Sequence, residues 1–263
     1  MVHPPQRTAL TGPALVRLLA RIAETDAQAS QQPLADRLSQ WLGWTDAIAL
    51  STVLSAPAPA VGGLAGNPVR ADGDDEAQRC LSLRSALSRA IVTDGVLAPP
   101  RHNASHARHA RTQPVPDLPE MPADYTLFRQ SYLALQQKME ADIGDLRTLL
   151  RNRLAAQSSA MAKLAALDAV MERSLAARER TLLGTVPGLL GKYFERLRKA
   201  AQAAEAVAQA QQDGAAQAQT DSKDSTSGAW LTTFRKDMQS LLLAELDVRF
   251  QPVEGLLAAL RTR

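Results

Sequence analysis

His102, His106 and His109 lie four and three residues apart, interleaved with Arg101, Arg108 and Arg111. On a helix, offsets of four and seven bring imidazoles onto one face, where they could share a metal ion. Pro99, Pro100 and Pro114 bracket the stretch, and no carboxylate follows before Asp117. The metal reading therefore gives way to a solvated basic linker, and no metal site is assigned. Arg101, Arg108 and Arg111 remain candidate phosphate contacts, by charge alone and without a motif that reads a nucleic acid.

Other patterns that could carry chemistry fail on spacing. Residues 184–192 hold three glycines and end in Gly191-Lys192, but a phosphate-cradling loop needs Gly where Val186 stands and Ser or Thr where Tyr193 stands. An interhelical turn is the expectation. Arg147, Arg151 and Arg153 form a basic patch beside Glu140, Asp142 and Asp145, which reads as exposed charge pairing. Glu172, Glu179, Glu195 and Glu205 sit among Arg and Lys at helical spacings and read as surface ion pairs. Residues 189–199 place Leu189, Leu190, Tyr193, Phe194 and Leu197 on one face with Lys192, Arg196, Arg198 and Lys199 around it. Such a helix can lie on an anionic membrane, and more often it packs in a bundle. Trp41 and Trp44 are expected in core or helix-hairpin packing, and Cys80 as a small buried apolar residue. No nucleophile–base pair, nucleotide fingerprint or cofactor motif emerges, so the expectation is a protein that is not an enzyme, with no cofactor and no small-molecule substrate.

The elements that would position these residues are helices. Phe128, Tyr132, Leu135, Met139, Ile143, Leu146, Leu150 and Leu154 follow one another at steps of three or four, and the stripe resumes at Met161, Leu164, Leu167, Met171, Leu175 and Leu182. That period suits one face of a helix and no strand. Phe128, Leu135, Met139, Ile143, Leu146 and Leu150 are the residues expected to form a packing or partner interface. The first eight stripe residues spread over 26 positions in seven steps, wider than a strict heptad. This favours nearly straight helices in a bundle over a tight two-stranded coil. The stripe either runs unbroken to Leu183 or breaks near Gln157-Ser158-Ser159.

Composition agrees. The chain has 263 residues with three Trp, three Tyr and four Phe, and a net charge of +3 from 30 basic and 27 acidic residues. Residues 101–111 supply three Arg and no acid, so the remainder is balanced, which argues against a committed nucleic-acid binder. A single cysteine excludes intrachain disulfides. No apolar run reaches the roughly 20 residues that span a bilayer, and no secretory h-region opens the chain, so a cytoplasmic protein is expected.

Along the chain, residues 1–55 read as an N-terminal helical unit, 56–73 as a flexible linker, and 74–98 as an amphipathic helix ended by Pro99 and Pro100. Residues 99–123 form a Pro-, Arg- and His-rich disordered linker. Asp124 is a candidate N-cap for the long helices of 124–212. Gly184 suits a helix C-terminus and Pro187 the first turn of the next helix. Residues 213–228 read as a disordered linker, and 229–263 as helices packing on the bundle, kinked or split at Pro252.

Three stretches carry a resemblance. They are residues 6–19, from Gln6-Arg7-Thr8 through Arg17-Leu18-Leu19, with Asp36-Arg37-Leu38-Ser39-Gln40-Trp41-Leu42 following; the central Leu167-Asp168-Ala169-Val170-Met171-Glu172; and residues 243–257, from Leu243-Ala244-Glu245 through Gly255-Leu256-Leu257. Together they resemble, over nearly the whole chain, a proteobacterial protein family known as a domain of unknown function. The resemblance implies a bacterial source and an accessory role, with an envelope-associated complex as one setting, and supplies no site residues.

The expectation is an all-α fold: an N-terminal helical unit and an elongated C-terminal helical bundle or coiled-coil-like region, with disordered linkers. The expected function is a scaffold or adaptor that binds other proteins, or further copies of itself, through helical faces. Nucleic-acid association through the Arg-rich linker and peripheral membrane binding through 189–199 are the alternatives.

Overall fold

The computed structural model describes residues 13–25, 34–57, 73–98, 124–213 and 228–262. Arg101, Arg108, Arg111 and the three linker histidines lie outside them, as do most of the segments expected to be linkers. Among the described residues there are eight helices and no strand: α1 Ala14–Ala23, α2 Leu34–Trp41, α3 Trp44–Ser55, α4 Gly73–Val92, α5 Tyr125–Gln157, α6 Ser159–Leu183, α7 Val186–Asp213 and α8 Ala229–Arg261.

The long apolar stripe does not run through. α5 starts under an Asp124 cap, whose carboxylate accepts the Thr126 N–H at 2.8 Å. It stops at Ser158, an extended residue whose hydroxyl accepts the Met161 N–H at 3.2 Å and so caps α6. Freed from one axis, α6 folds back along α5. Gln136 reaches the Leu183 carbonyl, and Arg147 and Arg151 reach Asp168 and Glu172. The stripe is thus two faces of an antiparallel hairpin.

α5 and α8 form the central pair. They run parallel, since Phe128 meets Phe234 near their starts and Gln157 reaches the Leu260 carbonyl near their ends. α4 lies antiparallel on both: Glu76 pairs with Arg153, while Arg84 pairs with Asp247 and Glu254. α7 and α1 cover the opposite flank. There Tyr125, Phe128, Tyr193, Phe194, Trp230 and Phe234 form an aromatic cluster with centroids 5.1–6.3 Å apart. Two helices of residues 1–55 go to different places: α1 to α7 and α8, α3 to α6.

Several boundaries differ from the sequence reading. α4 ends at Val92, seven residues before Pro99. The chain then turns around Asp94, whose carboxylate accepts the N–H groups of Val96 and Leu97, and Leu97 is fully buried. α8 passes through Pro252 without splitting; burial of Phe250, Val253 and Leu256 on either side holds the helix together. Gly184 ends α6 in the right-handed region rather than the left-handed one. Its place is held by crowding, since a Cβ there would lie 2.8 Å from the Arg180 carbonyl oxygen. Trp44 is 81% exposed, and α3 buries no side chain fully, so Trp44 is a surface residue and not part of the core.

Candidate functional site

Phe128, Leu135, Met139, Ile143, Leu146 and Leu150 are all buried on α5, covered by helices of the same chain. They hold the hairpin to α8 and α4. The second half of the stripe behaves differently. Leu167, Met171 and Leu175 are half-buried, Leu164 is 37% exposed and Leu182 54% exposed. Buried positions on α6 are instead Ala165 and Val170. Ser174 bonds Asp46 of α3 at 2.8 Å and Lys163 bonds the Leu54 carbonyl, which sets α3 along one flank of α6. α5 takes the other flank. The C-terminal part of the apolar row, Met171, Leu175 and Leu182, floors a groove of about 420 Å³. Ile143, Val248 and Pro252 form one wall, and Trp41 stands at the other.

Behind that wall lies a polar network that the sequence reading missed. Glu245 is fully buried, and its carboxylate accepts from Tyr132 Oη at 3.0 Å, from Gln136 Nε2 at 3.0 and 3.1 Å, and from Arg249 Nε at 2.9 Å. Arg249 Nη1 continues to Glu179 at 2.9 Å on the groove rim. Burial, then the adjacent Glu245 carboxylate, pushes the Tyr132 phenol far above its ordinary value, so it serves as a fixed donor. Both Glu245 oxygens accept hydrogen bonds from these three side chains, so the carboxylate is held as a structural acceptor. The available signal was a single carboxylate inside the run Leu241-Leu242-Leu243-Ala244-Glu245-Leu246.

Arg147 and Arg151 also differ from expectation. They pair across the hairpin with Asp168 and Glu172 of α6, at 2.6 Å for Arg147–Asp168 and 3.2 Å for Arg151–Asp168, and not with the acids beside them on α5. Both guanidiniums and Asp168 are about 15% exposed, because the helices close over them. Glu172, Glu179 and Glu195 are ion-paired. Among the described residues, no three His, Cys, Asp or Glu side chains are grouped to hold a metal. Cys80 is buried, and burial, then Glu76, pushes its thiol up.

The glycine-rich stretch at 184–192 serves packing. A Cβ on Gly191 would sit 2.9 Å from the Tyr125 ring, so glycine lets that ring close on α7, where its hydroxyl donates to the Pro187 carbonyl. In the same helix Leu190 and Phe194 are buried in the bundle, so the apolar face of 189–199 is turned into the core. No helix among the described residues is long and apolar enough to cross a membrane.

The chain matches a family model over residues 1–262, described as a protein of unknown function (DUF3348). The chain belongs to the DUF3348 family. No curated protein and no solved structure matches it. In this DUF3348 chain the family match spans every helix described above, so the hairpin, the groove and the Glu245 network all fall within the family's domain.

Proposed function

We propose that this protein is a non-enzymatic helical scaffold or adaptor that docks another protein through a helical face, working in the cytoplasm and accessory to a larger complex, with envelope-associated complexes the first to test. The observation that carries the reading is the α6 half of the apolar stripe, which stays partly open while the α5 half is buried. An apolar row of that length at a groove is the usual mark of a protein-binding face. The carboxylates at the groove, Glu140, Glu172 and Glu179, are each paired with arginine, which fits a docking face.

The test is a tagged pull-down from gently lysed native cells, with and without nuclease, read by mass spectrometry. A discrete, nuclease-resistant set of proteins is expected. A yield dominated by nuclease-sensitive nucleic acid and its proteins would overturn the adaptor reading in favour of the Arg-rich segment.

A further inference from the structure

Met171, Leu175 and Leu182 line the groove, Leu167 and Leu164 continue the same face of α6 beyond it, and eighteen residues of helix separate the first of the row from the last. At about 1.5 Å per residue the row is roughly 27 Å long. A small molecule would cover only part of it, whereas a helix of about five turns would cover it all. The charges around the groove add a second condition. Three carboxylates line it and each is held by arginine: Glu140 by Arg180, Glu172 by Arg147 and Arg151, Glu179 by Arg249. Arg178 is exposed, also lines the groove, and stacks 5.1 Å over the Trp41 ring, and it makes no ion pair among the described residues. After internal pairing, the groove is left with an apolar floor and a positive rim.

Resting on the adaptor reading, we infer that the α6 groove, with the face that continues it to Leu164, binds one amphipathic helix of a partner protein, its apolar side on this row and an acidic residue on its flank meeting Arg178. Opposite charge at the rim guides encounter and selects among amphipathic helices, and the apolar floor supplies the affinity.

The probes are two synthetic helical peptides of about eighteen residues with the same leucine face, one flanked by glutamates and one by lysines. Binding to the full-length chain is read by fluorescence anisotropy. The glutamate peptide is expected to bind at least about tenfold more tightly. Arg178→Glu should abolish or reverse that preference, and Leu182→Asp should remove binding of both peptides. Both positions are exposed, so an unchanged circular-dichroism melt will show that the variants fold. Binding of neither peptide, or a preference unmoved in Arg178→Glu, would overturn the inference. So would a dimer in sedimentation that Leu182→Asp converts to monomer, since a second copy would then occupy the groove. If Leu182→Asp still captures the same nuclease-resistant proteins in the pull-down, the groove assignment fails and the adaptor reading stands; if wild type captures none, the adaptor reading itself fails.

Discussion

Glu245 is the residue on which the centre of the molecule turns. Removing its side chain would leave the Tyr132 hydroxyl, the Gln136 amide and the Arg249 guanidinium without their shared acceptor in a closed interior. Glu245→Ala should therefore cost about 3–5 kcal/mol in urea denaturation. An unchanged midpoint would mean that water replaces the carboxylate. Tyr193 gives a pH-dependent effect. Burial, then its bond to Asp237, pushes its phenol up to about 12 from an ordinary value near 10. The folded chain thus binds the proton more tightly than the unfolded chain. That contribution is fully present below about pH 10 and is lost as pH rises through about 12. Stability should fall over this window, and less steeply in Tyr193→Phe. Tyr125, also raised to about 12 by burial, keeps part of the slope in that variant.

At the scale of elements, the two halves of one stripe have different fates because a single serine breaks the helix. Met139 is 1% exposed on α5, whereas Leu182 is 54% exposed on α6. Placing Asp at Met139 puts a charge into the apolar core, and Met139→Asp should lose several kcal/mol and melt well below wild type. A melt equal to wild type would show that the α5 face is open to solvent. α3 resembles the open half: Ile48 is 50% exposed and Leu54 57% exposed, although both sit in a helix dense in apolar residues. Hydropathy alone makes α3 a core helix. Among the described residues its one firm neighbour is α6, which leaves these side chains uncovered.

The whole molecule is closed by a helix from its beginning. α1 inserts Leu15 and Ile22 beside α7 and α8, and its C-terminal end is fixed where Arg196 bonds the Ile22 carbonyl at 2.7 Å and pairs with Glu24. A chain beginning after Thr25 should lose about 3–6 kcal/mol, the burial of two large aliphatic side chains. Urea denaturation checks this, and an unshifted midpoint would show that α1 packs without contributing to the core. The distance in sequence between α1 and α8 means that the bundle's flank is completed by contacts no local pattern encodes.

Local sequence determined the helical class, the α5 stripe and the Asp124 cap, because each depends on residue type and spacing within one segment. The same information left two outcomes open at Gln157-Ser158-Ser159, and a straight helix and a hairpin carry the same pattern. Only the tertiary structure decided that α6 turns back on α5, that Arg147 and Arg151 therefore find Asp168 and Glu172, and that Glu245 meets Tyr132 and Gln136 more than a hundred residues away. It also decided which half of the stripe is core and which is groove. A hydrophobic period states that a face seeks cover, and the arrangement of the other helices determines whether the chain itself supplies that cover.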